Sequence, residues 1–298
     1  MSDKIKVSCV VALGYFDSVH LGHKKVIESA RAKAKECGAK TVVFTFKGNL
    51  KAAVGSGEEK TVFSTIEREK FIKSLGVDEI YFAPVDVNFL SLGKLAFLNL
   101  LNRKYNIKCY VSGNDYHFGK FGKGGVEDIA NYAKKHEQDY IIVDTFNLCG
   151  QKVSTTAIKK LLDEGDVKAA ATLLGRAYSV QGRVFEDRKV GQKLGFPTAN
   201  VKIDKDKHRL KDGVYAGRVE LDGKTYKTVI NYGARPTFDL EEKLLETHVI
   251  DFNGQLYGKE ITLLFDDFLR EIKKFGSEEQ LKKQLEMDVA TVKGENND

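Results

Sequence analysis

The stretch Val10-Val11-Ala12-Leu13-Gly14-Tyr15-Phe16-Asp17-Ser18-Val19-His20-Leu21-Gly22-His23 decides how this chain folds. An apolar, β-branched run ends at a glycine, a turn carries two histidines three apart, and a helical pattern follows at once. A strand feeding a helix in this way belongs to a parallel βαβ unit. The turn then sits at the carboxyl edge of the sheet, where open α/β folds bind ligands. Gly14 and Gly22 allow close approach to the backbone, and the N–H groups and dipole of a helix start favour an anion. His20 and His23 can donate to phosphate oxygens and stabilise charge developing at phosphorus. A helix cap without ligand, or a metal site, is the alternative for such a pair.

Outward from this turn the alternation continues. Strands 40–46, 79–85, 108–113 and 139–146 are interleaved with helices over 23–37, 65–75, 93–105 and 126–136. The strands are almost continuously apolar, as in a parallel sheet covered on both faces. Helices at 155–164 and 166–174 lead to a boundary near Gly175. From Tyr178 the texture is all-β, with six strands at 178–185, 197–203, 213–221, 224–232, 246–252 and 255–265. Asp222-Gly223 and Asn253-Gly254 each predict a two-residue hairpin turn. The fold class is therefore α/β: a Rossmann-like parallel-sheet domain over 1–175, then a small antiparallel β-barrel over 176–298. A terminal helix is capped by Ser277 and spaced by Leu281, Leu285 and Val289.

Composition agrees with two globular domains: 298 residues, 42% hydrophobic and 30% charged. No apolar run approaches the ~20 residues of a membrane span, and the N-terminus reads as a strand rather than a signal peptide. Cys9, Cys37, Cys109 and Cys149 form no CxxC pair, which argues against zinc or a disulfide framework and for a reducing cytoplasm. The whole net charge of +6 lies in the first 175 residues. That suits a polyanion such as a nucleoside triphosphate and is too diffuse for nucleic acid. Neither nucleic acid nor membrane is an expected partner; a homo-oligomer is left open.

Four further segments carry candidate chemistry. Ser154 and Thr155 open a helix, where hydroxyls either cap it or, with Lys159, hold phosphates. Asn114 and Asp115 follow a strand in a Gly-rich turn. Gly182, Lys193 and Gly195 belong to glycine-rich stretches able to cradle a phosphate. Thr198 and Asn200 alternate on a strand and present the hard oxygen pair that suits Mg²⁺, or else form a polar barrel rim. Glu246, on another barrel strand, is a carboxylate of the kind that serves as general base when an alcohol lies within reach, although a strand glutamate is far more often plain surface.

Together these segments resemble the prokaryotic bifunctional riboflavin kinase/FMN adenylyltransferase family across nearly the whole chain. The resemblance rests on GYFDSVHLGH, SGNDYHFGKF and VSTTAIKK in the first half, and on GQKLGFPTAN, INYGARPT, LETHVIDF and DFLREIKKF in the second. It implies ATP-dependent phosphorylation of riboflavin to FMN by the barrel, with Thr198 and Asn200 on Mg²⁺ and phosphate and Glu246 as base. It implies adenylylation of FMN to FAD, with release of pyrophosphate, by the first domain. There His20 and His23 would contact the reacting phosphate. Gly14, Phe16, Asp17, Gly22, Ser154, Thr155 and Lys159 would bind ATP. Asn114, Asp115 and, in the barrel domain, Arg270 would bind flavin. Departures are Lys159 and His117 where the family usually has arginine, Gln192 at a frequent arginine position, and TFKGNLKA in place of a Pro-His-Pro element. Competing readings are an enzyme with one activity and a scaffold domain, or a non-catalytic flavin- or nucleotide-binding regulator.

Overall fold

A computed structural model describes residues 7–48, 60–185, 196–221, 223–234 and 243–294. Lys193, Gly195, Gln192 and Asp222 lie outside them. Contacts divide the chain into two compact units, Met1–Ala157 and Ile158–Asp298.

The first unit is built on β1 (Ser8–Leu13), β2 (Lys40–Phe46), β3 (Glu79–Ala83), β4 (Asn106–Gly113) and β5 (Asp139–Val143), all parallel in the order β3-β2-β1-β4-β5. β1 explains why its run has no polar interruption. Cys9, Val11 and Leu13 pack with Phe97, Leu98 and Leu101 of α4 (Lys94–Lys104) and Ile129 of α5 (Val126–Lys135). Val10 and Ala12 turn to the opposite face, against Ile27, Ala30 and Ala34 of α1 (Leu21–Glu36) and Ile72 of α2 (Thr65–Ser74). Each such burial of a Val, Ile or Leu contributes about 1.5–3 kcal/mol, so a charge on either face of β1 is excluded.

The first helix begins at Leu21, two residues ahead of the sequence expectation, because His20 serves as its cap: its Nδ1 accepts the His23 N–H at 3.1 Å. Two small elements were not legible. One is a single turn, α3 (Val87–Leu90), capped by Asp86. The other is a hairpin of β6 (Asn147–Leu148) and β7 (Gln151–Lys152), whose turn Cys149-Gly150 has φ of +49° and +79°.

The second unit holds most of α6 (Thr155–Glu164), α7 (Val167–Leu174), a closed barrel and α8 (Glu278–Lys293). Barrel strands β8 (Tyr178–Phe185), β9 (Ala199–Lys202), β10 (Gly213–Leu221), β11 (Lys224–Ala234), β12 (Lys243–Val249) and β13 (Glu260–Arg270) close in the order β10-β11-β12-β9-β8-β13. The hairpin expected at Asn253-Gly254 does not form. β12 pairs with β11 and β9, whereas β13 pairs with β10 and β8. Positive φ falls on Asp251 instead (57°), and the segment crosses the end of the barrel with Leu256 buried. Barrel closure overrides a strong local turn signal.

The turn after β1 is strained: Phe16 and Val19 hold φ of +50° and +44°, a costly region for side chains of this size. Its surroundings over-determine it. The Tyr15 carbonyl accepts from Thr45 Oγ1 (2.7 Å) and from Arg68 Nη1 (3.2 Å). Asp17 accepts the Val62 N–H at 2.8 Å. Arg68 is fully buried and also donates to the Phe46 carbonyl at 3.0 Å. Burial pulls its pKa down, a shift opposed by Tyr15 and Asp17. Arg68→Met leaves both carbonyls short of a donor and is expected to destabilise the chain by on the order of 3 kcal/mol in denaturant unfolding. A change below about 0.5 kcal/mol contradicts this role.

Burial pushes the Cys9 and Cys109 thiols up to about 12, while Cys37 and Cys149 are exposed. Because the thiolate is the reactive form, native protein at pH 8 is expected to consume a thiol reagent at two cysteines, and at all four once unfolded. Equal rates at all four in the native state contradict the burial.

Candidate active sites

The strand order reverses between β1 and β4, and a cavity of about 440 Å³ opens at their carboxyl ends. The turn after β1 supplies Gly14, Phe16, His20, Gly22 and His23; the turn after β4 supplies Asn114 and Asp115; and the start of α6 supplies Ser154 and Thr155. Two helix N-termini therefore face one cavity, each presenting a positive dipole end.

The glycines in the β1 turn are dictated by contact. A Cβ on Gly14 would meet the Phe16 ring at 2.6 Å, and one on Gly22 would meet His20 Cε1 at 3.0 Å. The two imidazoles stack, with ring centroids 3.7 Å apart and planes 8° apart. Since His20 Nδ1 accepts from the backbone, its neutral ring carries the proton on Nε2, as a donor. Ser154 caps α6, accepting the Ala157 N–H at 3.2 Å, and Thr155 Oγ1 lies 3.0 Å from Ser18 Oγ. This hydroxyl pair ties the histidine turn to the second helix start. Asp115 accepts from Lys152 Nζ at 2.9 Å, which holds its carboxyl below the usual range. Asn114 accepts from Thr145 Oγ1 at 3.0 Å.

Two of the residues assigned to this cavity stand apart from its lining. Asp17 is buried on Val62 and shapes the turn. Lys159 is buried within electrostatic reach of His208. Arg68, Lys152 and Phe46 carry no sequence signal for their place here. Arg68 reads as one more charge on an amphipathic helix, and only the tertiary fold shows it inside.

In the barrel, Thr198 Oγ1 donates to Glu246 Oε1 at 2.9 Å, and Asn200 and Glu246 are directly opposed on β9 and β12. Cross-strand partners share a face, and the register continues this row: Asn200, Glu246, Asn231, Val214, Arg270. The intervening positions Val201, Leu245, Ile230 and Tyr215 are fully buried inside the barrel. The row therefore lies on the outer wall rather than in the mouth, where Val289 and Val292 of α8 pack on Val214 and Val229. Thr198, just before β9, also lines a cavity of about 310 Å³ at the mouth, with Thr247, Val249 and the 252–257 crossover. It stands where mouth and outer wall meet.

Arg270 grips Asp288 of α8 through Nε (2.9 Å) and Nη2 (2.7 Å), with Asp288 also accepting from Gln284. Gly182 is required by strand crossing, since a Cβ there would meet Val201 Cγ1 at 2.5 Å and the Lys202 carbonyl at 2.6 Å. Among the described residues no cluster of three His, Cys, Asp or Glu side chains is placed to hold a metal, and no helix is long and apolar enough to cross a membrane.

Comparison with known proteins matches this architecture. The FAD synthetase family model covers residues 2–157 and the riboflavin kinase model residues 174–295. A Listeria monocytogenes bifunctional riboflavin kinase/FMN adenylyltransferase is 34% identical over 95% of this chain and 90% of its own length. The Bacillus subtilis protein of the same name is 34% identical over 94% and 90%. A crystal structure from Streptococcus pneumoniae, described as a macrolide-efflux protein, superposes with a TM-score of 0.88 at 32% identity, covering 96% of this chain and 94% of that one. Two family models in tandem, relatives matched along almost their full length, and a sheet-edge cavity followed by a Thr–Glu barrel site place this chain in the bifunctional riboflavin kinase/FMN adenylyltransferase family.

Proposed function

We propose that the chain makes FAD from riboflavin in two steps at two separate sites, with ATP as the second substrate of each. The observation that carries this is the pairing of two unlike constellations: stacked histidines between two helix starts, and a hydroxyl–carboxylate pair on a barrel wall. We assign the adenylyltransferase to residues 1–175 and the kinase to 176–298, with the join at Gly175, which ends α7 in the left-handed conformation.

In the kinase half ATP occupies the barrel mouth and its γ-phosphate reaches Thr198, while the flavin lies on the outer wall. Glu246 takes the proton of the terminal ribityl hydroxyl as that oxygen attacks the γ-phosphorus and ADP leaves. Arg270, three strands round the closed barrel from Glu246, is assigned to the flavin where the wall meets α8. Gly182, Lys193 and Gly195 are assigned to the ATP phosphates. Thr198 and the buried Asn200 offer the oxygen donors that Mg²⁺ prefers. With no carboxylate cage among the described residues, they would share the ion with ATP phosphates, whose charge it neutralises when bound.

In the adenylyltransferase half the FMN phosphate attacks the α-phosphorus of ATP and pyrophosphate leaves. His20 and His23 donate to the phosphate as charge builds on it. The starts of α1 and α6, with Gly14, Phe16, Gly22, Ser154 and Thr155, hold the triphosphate; Asp17 shapes the turn that carries them, and Lys159 is assigned to the ATP phosphates. Asn114 and Asp115 face the flavin. Exposed free thiols at Cys37 and Cys149 suit a reducing cytoplasm.

With riboflavin, ATP and Mg²⁺, wild-type protein is expected to form FMN and then FAD. Glu246→Gln should lower FMN formation at least 100-fold while leaving FMN-to-FAD conversion within about twofold. His23→Ala should do the reverse. Chromatography of the flavins reads both, and a substitution that stops both reactions in folded protein contradicts the two-site assignment.

A further inference from the structure

Asn231 stands between Glu246 and Val214 in the outer-wall row, directly opposite Glu246. Its Oδ1 is buried, and no donor among the described residues reaches it. An amide oxygen hidden from water without a partner is costly, and a β-branched residue such as the neighbouring Val229 would serve a strand wall better. Two residues on, the same face is stripped to Gly233, where a Cβ would meet Ile272 Cδ1 at 2.4 Å. The wall is thus apolar on one side of the amide, where Ile272 fills the place a side chain at 233 would take, with the carboxylate of Glu246 on the other.

We infer that Asn231 binds the inner hydroxyls of the ribityl chain and so selects a polyol-bearing flavin over the bare ring. A carboxamide suits this role because it accepts through Oδ1 and donates through Nδ2, and each hydroxyl of a polyol does both. Cross-strand partners lie about 5 Å apart at Cβ, so Asn231 and Glu246 can hold successive parts of one chain. The terminal hydroxyl then meets the base, and Asn231 is a positioning residue. This inference rests on the kinase reading above.

The test is steady-state FMN formation by Asn231→Leu, near-isosteric and without hydrogen-bonding groups. Lumiflavin, which has the ring but no ribityl chain, is added as competitive inhibitor so that only the kinase site is read. We expect the riboflavin KM to rise about tenfold, with the KM for ATP and the lumiflavin Ki unchanged. Asn231→Ser gives the same split should leucine unfold the barrel. An unchanged riboflavin KM, or a lumiflavin Ki that rises in step with it, overturns the inference. If Glu246→Gln also leaves FMN formation intact, the kinase reading falls and this inference with it. If Glu246→Gln is inactive and Asn231→Leu is normal, the inference alone fails.

Discussion

The carbonyl oxygen of Tyr15 is the point on which the first half of the molecule turns. It receives Thr45 and the buried Arg68, and with Asp17 on the Val62 N–H it holds Phe16 and Val19 in left-handed backbone. Released, the turn would relax and the imidazoles would lose their stacked register over Gly22. A site that must meet a phosphate at several points gains from paying its strain in advance, because misplacement by about 1 Å costs roughly 10²-fold in rate. Histidines, helix starts and glycines are placed by that one polar knot beneath them.

The barrel reaches an equivalent result by register instead of strain. Each strand step carries the row one residue across, so Asn200, Glu246, Asn231 and Arg270 align although they lie up to 70 positions apart in the chain. A one-residue slip of any of these strands would turn its member of the row inward. The closed strand order and the Arg270–Asp288 clamp on α8 hold the register.

Much of this was legible before any coordinates. β1 reads as a doubly covered strand because every residue from Cys9 to Leu13 is apolar, and the structure puts alternate residues into cores on opposite faces. Gly22 is legible as an approach glycine, though what approaches closest is the ring of His20. Arg68 was not legible, since a buried arginine has the same letter as an exposed one. Asn253-Gly254 misled because barrel closure outweighs a turn preference that is purely local. Asn231 sat unremarked within INYGARPT, because only the cross-strand register shows that it faces Glu246.

On the proposed scheme two phosphate-handling sites work independently on one chain, linked only by free FMN. Mixing the Glu246→Gln and His23→Ala proteins with riboflavin, ATP and Mg²⁺ tests it most directly. The mixture is predicted to accumulate FAD although neither protein does so alone. A mixture that stops at FMN, with each protein still catalysing its remaining half-reaction, contradicts it.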